Sequence, residues 1–252
     1  MENIIILALA FLPVAILLIY IYRKDKHEKE PLGKLLVVFL LGCVAIVPAI
    51  ILELLLSGIY SSLSIDAPFI EGIYNGYVVA GFSEELTKYL LLLLVVWRSS
   101  HFNEYFDGIV YSVFLSLGFA CIENIAYVFG TESFSAAITT SVMRMLLSVP
   151  GHFLFAVAMG YYLARAKFEP DKRSEFRRKA LWIPVFLHGT FDALLMVPEA
   201  LPEYAGILTL GLYALFIFFD IKMWKLGMRR LRRLQLRSEL QFLENLPADE
   251  NE

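Results

Sequence analysis

The sequence predicts an all-α protein: a polytopic membrane bundle of about seven transmembrane helices. Three observations carry this. Hydrophobic residues make up 58% of the 252-residue chain and charged residues only 19%, with mean hydropathy +0.64, outside the range of soluble globular domains. Seven runs each approach the roughly 20 apolar residues that a spanning helix needs. Lys and Arg crowd into every second loop, the pattern that orients helices across a bilayer.

The seven runs cover residues 3–22, 34–57, 70–97, 104–129, 136–165, 179–198 and 203–224. The first lacks the basic start and Ala-x-Ala site of a secretory leader, so it is expected to be a retained first helix. The fifth is interrupted by Arg144 and Pro150. A short membrane-dipping piece joined to a kinked helix is expected there, because proline removes a backbone donor. The seventh begins just after Pro198 and Pro202.

Loops 23–34, 98–103 and 165–179 are basic, whereas loops 58–69, 130–135 and 199–202 hold no Lys or Arg. This places the amino terminus outside and the carboxyl terminus in the cytoplasm. Residues 1–224 are expected to form one transmembrane domain. Residues 225–252 should form a basic amphipathic helix on the inner leaflet, then a disordered acidic end, Pro247-Ala-Asp-Glu-Asn-Glu. The basic clusters are short and flank apolar runs, which argues for lipid and against nucleic acid as the partner. Cys43 and Cys121 each lie within an apolar run and read as packing residues.

Against this background the polar residues inside the spans stand out. Glu84 and Glu85 are adjacent in the middle of the third run, with Lys88 one turn on. Each ionisable group at bilayer depth costs roughly 2.5–3.5 kcal/mol on insertion scales, so such groups point to function. His152 and His188 lie at the midpoints of the fifth and sixth runs, at the same expected depth. The four-residue spacing puts Glu84 and Lys88 on one helix face, and likewise His188 and Asp192. Asp192 is thereby expected to hold one ring nitrogen of His188 and fix its tautomer. Glu123 and Asn124 lie in the fourth run, about two turns outward of its centre. Arg144 reads as structural or lipid-contacting. Glu53 and Asp107, nearer span ends, read as snorkelling residues.

No Ser/His/Asp arrangement and no His-Glu-x-x-His motif is present. Two His and several carboxylates in a dry hollow suit hydrolysis by an activated water. Glu84 is expected to take the proton, with Glu85 tuning it. His152 and His188 either polarise water and carbonyl directly or, with Glu85 or Glu123, hold Zn2+. A proton-coupled transporter built on the same Glu/His/Lys cluster is the competing class, although no inverted repeat pairs the halves. A seven-helix receptor ranks lowest.

The motifs also carry a family resemblance. Glu84-Glu85-Leu-Thr-Lys88 is succeeded by Phe106-Asp107-Gly108 leading to Glu123-Asn124. Then come Pro150-Gly151-His152-Phe-Leu-Phe155 with Gly160-Tyr161-Tyr162, and His188-Gly189-Thr-Phe-Asp192. In this order, over residues 75–195, they resemble the PrsW-type intramembrane proteases and, more widely, the CAAX prenyl endopeptidases. The resemblance implies a multi-pass protein of a bacterial cell membrane. It further implies cleavage of a single-span, membrane-anchored substrate, such as an anti-sigma factor, in a stress response. In the wider family an Asn lies four residues after the last His and binds the oxyanion; here that position is Asp192.

Overall fold

The computed structural model describes residues 1–202 and 205–245. They form seven helical rods: α1 (Glu2–Lys24), α2 (Leu32–Ser62), α3 (68–96), α4 (Asp107–Phe129), α5 (Phe134–Phe168), α6 (Arg173–Ala200) and α7 (Gly206–Glu244). Six are long and apolar enough to cross a membrane. The exception is α3, whose middle carries Glu84, Glu85 and Lys88. The acidic end at 247–252 lies outside the described residues.

α4 is the hub. It packs against α1, α2 and α5, and most of its apolar length is buried, as expected for a helix that is apolar all round. α1, α2 and α7 instead expose Leu, Ile and Val along their outer faces, the surface that lipid covers. Without a hydrophobic driving force between helices in lipid, close backbone approach supplies the cohesion. Gly42 on α2 meets Gly118 on α4: a Cβ on Gly118 would meet the Phe39 carbonyl, and one on Gly42 the Leu115 carbonyl. Gly108 and Gly160 close the α4–α5 contact in the same way, and Gly76 and Gly189 that of α3 with α6.

Two rods change winding just before their functional stretches. α3 runs as π-helix over Asn75–Phe82 and returns to α-helix at Ser83. α5 does the same over Arg144–Ser148, before Val149. A π-turn accommodates an extra residue, so it rotates the later turns of the helix relative to the earlier ones. The fifth span is therefore continuous and not a dipping piece joined to a kinked helix. The wider turn ahead of Pro150 absorbs the missing donor without breaking the rod.

The basic stretch expected to lie on the membrane is helical, as its spacing predicts. It continues α7 without a break, so the expected division at 224/225 falls inside one 39-residue helix. At about 1.5 Å per residue this helix is far longer than a hydrocarbon core. Its last turns pack on the protein's own basic end. Gln235 donates to the Lys24 carbonyl (2.8 Å), Ser238 Oγ accepts from the Phe106 N–H (2.8 Å), Gln241 donates to the Asn103 carbonyl (2.8 Å), and Arg237 pairs with Glu169. Arg165 and Arg237 hold the Glu169 carboxyl down to about 2.

Asp107 does not snorkel. It is fully buried, and its Oδ2 accepts from the N–H groups of Asn103 (2.9 Å) and Glu104 (2.8 Å), fixing the turn into α4. Burial pushes the nearby Glu30 and Glu104 carboxyls up to about 7.

Close helix contact gives a direct expectation. Gly118→Ala should lower the thermal midpoint of the detergent-solubilised protein, by the roughly 1–3 kcal/mol typical of overpacking. Gly33→Ala, where a Cβ meets open space, should leave it nearly unchanged. An unaltered midpoint for Gly118→Ala would refute the tight α2–α4 contact.

Candidate active site

Every side chain from Ser83 to Tyr89 except Leu86 is buried, so the polar residues of α3 must satisfy one another. Lys88 Nζ donates to Glu84 Oε2 at 3.0 Å and to Glu85 Oε1 at 2.8 Å. It also lies 3.3 Å from Nδ1 of His152 on α5 and 4.2 Å from the ring centre of Phe119 on α4. On α6, His188 Nδ1 is 3.1 Å from Glu85 Oε1. Three rods thus deliver acid and imidazole to one point. Glu84, Glu85, His152 and His188 each offer a ligand atom within 4.8 Å of the others, and all four are buried.

The two histidines are oriented alike. Each turns Nδ1 toward the Glu84/Glu85/Lys88 centre and Nε2 toward an outer carboxylate. For His188 that carboxylate is Asp192 (3.2 Å) and for His152 it is Glu123 (2.8 Å). An Nε2–H donated outward leaves Nδ1 as an inward lone pair, the arrangement that metal-ligating histidines use. The expected His188–Asp192 contact is present.

Glu123 differs from expectation. Sequence depth makes it a possible ligand two turns from the centre, but it falls outside the group of four. Its Oε2 is committed to His152 and to Arg144 NH2 at 2.6 Å. Asn124 also faces away from the four: Nδ2 donates to the Ala10 carbonyl (2.7 Å) and Oδ1 accepts from Arg144 Nε (2.6 Å). Arg144 takes the structural of its two expected roles. It clamps Glu123 and Asn124, and stacks over Tyr127 at 4.1 Å. A guanidinium at span depth, with Glu and Asn on the preceding span, is the sequence signal for that clamp. Glu53 lines a cavity that reaches the cluster.

That cavity, of about 720 Å³, adjoins a second of about 430 Å³. Glu84 and Glu123 line both, and His152, His188 and Asp192 line the second, with Phe155 and Phe191 as its wall. Phe155 stacks on His188 at 4.6 Å. Glu85 lines neither. The larger cavity extends to Ser57, Glu71 and Glu199, toward the end of the bundle that lacks basic loops.

The cluster suits a divalent metal. Two imidazoles and two carboxylates are a familiar zinc donor set. Glu85 Oε2 is buried without a hydrogen-bond partner. Four carboxylates (Glu84, Glu85, Glu123, Asp192) stand against two cations (Lys88, Arg144), so with neutral imidazoles the site carries excess negative charge. Lys88 contacts three of the four donors, and its ammonium is the cation at the centre in this structure.

A family model described as PrsW family intramembrane metalloprotease matches residues 30–221. The chain is 39% identical over 240 residues to Protease PrsW of Clostridioides difficile, covering 94% of each chain. It is 36% identical to Protease PrsW of Geobacillus kaustophilus, over 80% of this chain and 84% of that one. Identity to Protease PrsW of Bacillus subtilis is 32%, over 90% and 94%. No solved structure matches. The match spans all three rods that build the cluster, and the chain belongs to the PrsW family: it is a multi-pass intramembrane protease.

Proposed function

We propose that this protease cleaves a single-span, membrane-anchored protein, of the anti-sigma-factor kind, at the Glu84/Glu85/His152/His188 centre. The observation that carries the reading is the meeting of these four donors, from three rods, inside the bundle, with Glu84, His152 and His188 lining the cavity that reaches them. Family membership favours peptidase over transporter. The cavity extends away from the basic loops, so with the positive-inside orientation the substrate is reached from the outer side.

The roles divide by access. Glu84 borders both cavities and uses one oxygen on Lys88, so it is the general base. It takes a proton from the attacking water and returns it to the amine nitrogen as the C–N bond breaks. Glu85 is fully enclosed, bonded to Lys88 and 3.1 Å from the inward Nδ1 of His188; it is an anchor. Glu85, His152 and His188 are the residues that would hold zinc. When bound, that ion supplies Lewis acidity to the water and the scissile carbonyl. Asp192 and Glu123 orient the imidazoles from outside. Asp192 accepts from His188, so it is not placed as an oxyanion donor.

Glu84→Gln and His188→Ala should each abolish cleavage of a single-span substrate in proteoliposomes while the protein stays folded. Cleavage at the wild-type rate by either variant removes that residue from the site. Zinc analysis of the purified protein tests the metal: about one ion per chain is expected, with activity lost to a chelator and restored by zinc. Full activity in metal-free protein would instead support direct Glu/His catalysis. Asp192→Ala should weaken zinc binding or activity by roughly 10- to 100-fold, the usual effect of removing an outer histidine partner. Asp192→Asn, which keeps an acceptor, should be milder; equal losses in the two would argue against the orienting role.

A further inference from the structure

A second group of buried acids lies at the other end of the bundle. Asp25 comes just after α1, Glu104 lies in the turn before α4, and Asp107 opens α4. Their exposures are 0%, 6% and 0%, and one carboxylate oxygen from each lies within 4.8 Å of the others. Among the described residues no Lys or Arg forms an ion pair with any of them. This contrasts with the active site, where Lys88 and Arg144 pair the acids.

The aspartates are held in place by backbone. Asp25 Oδ2 accepts from the Glu30 N–H at 3.1 Å, and Asp107 Oδ2 from those of Asn103 and Glu104. Their other oxygens, Asp25 Oδ1 and Asp107 Oδ1, are buried with no hydrogen-bond donor. An unpaired buried carboxylate is strongly disfavoured, so these two preorganised oxygens are met either by a proton or by a cation. Glu30 stands beside them, bonded to the Tyr111 hydroxyl. A cavity of about 270 Å³ reaches Glu104 of the three; Lys24, Lys26, His27 and Arg232 also border it.

We propose that Asp25, Glu104 and Asp107 form a second metal site, for a hard divalent cation of the Ca2+ or Mg2+ class. All three donors are carboxylate oxygens, with no imidazole or thiolate, which selects hard cations over zinc. Oxygens that share one Ca2+ at roughly 2.3–2.6 Å each lie no more than about 5 Å apart, and the three carboxylates meet that limit. The ion fastens together the loop after α1, the turn into α4 and, through Ser238 on the Phe106 N–H, the last turns of α7. The site is separate from the peptidase centre and does not depend on it.

The test uses full-length protein in detergent, stripped with EDTA and dialysed against radiolabelled Ca2+, with Mg2+ as competitor. One saturable Ca2+ per chain is expected in the wild type. The same is expected in a His152→Ala/His188→Ala double variant, which removes the imidazoles of the peptidase centre. Glu104→Gln should bind at least tenfold more weakly; Asp25→Asn serves as a second variant if it does not fold. Absence of saturable binding to wild type at millimolar Ca2+ or Mg2+ overturns the proposal. So does binding that disappears with the two histidines but survives at full affinity in Glu104→Gln or Asp25→Asn.

Discussion

The bundle is organised around a lysine ammonium held between two neighbouring glutamates where lipid would otherwise be. None of these charges is tolerable alone in a low-dielectric interior. Breaking a buried pair leaves an uncompensated charge at a cost of about 3–5 kcal/mol. Lys88 meets Glu84 and Glu85 on its own helix, but the short i, i+3 and i, i+4 links do not exhaust the acceptors. A further Lys88 donor reaches the Nδ1 lone pair of His152 from a second rod, and His188 closes on Glu85 from a third. That need explains why α3 is buried along Ser83–Tyr89 although its middle is charged. It also explains why helices flank it on several sides.

The surrounding shell has the same origin. Each imidazole is held at Nε2 by a carboxylate, and Arg144 in turn neutralises Glu123. A chain of charge compensation therefore runs outward from Lys88 to the polar rim of the cavity. The π-turns at Asn75–Phe82 and Arg144–Ser148 sit one step upstream of the two motifs they aim. Such irregular turns recur at functional sites because they redirect side chains without breaking the helix. The two ends of the molecule solve burial of acid differently. At the cavity, lysine and arginine are built in; at the basic end, Asp25 and Asp107 are held by backbone N–H groups.

Much of this is legible in the chain. Seven apolar runs correspond to seven rods, and the midpoints of three runs mark Glu84/Glu85, His152 and His188 as neighbours. The four-residue spacing marks the Lys88–Glu84 and His188–Asp192 contacts, because helical periodicity makes such pairs adjacent without tertiary information. The differences cluster where depth is inferred from run boundaries. Glu123 lies two turns from the centre by sequence, yet it reaches His152, since a depth estimate says nothing of helix tilt or of which face is presented. Pro150 reads as an interruption because the π-turn that accommodates it has no reliable sequence signal. In the arginine-rich stretch after Lys222, Leu231 and Leu234 are buried against the protein while Leu236, Leu240 and Leu243 stay exposed, a division that composition does not show.

The sequence by itself determined the class of solvent, the number of rods, the family and the identity of the chemical groups. These depend on hydropathy, on charge and on spacing along one helix. Only the tertiary structure decided which nitrogen of each histidine faces inward, that Glu123 contacts His152 from outside the four, that Glu84 and not Glu85 borders the cavity, and that three acids from distant segments converge beside α7. Those outcomes depend on the rotation and separation of rods that are far apart in the chain. Close glycine contacts and π-turns set both, and a one-dimensional pattern does not encode either.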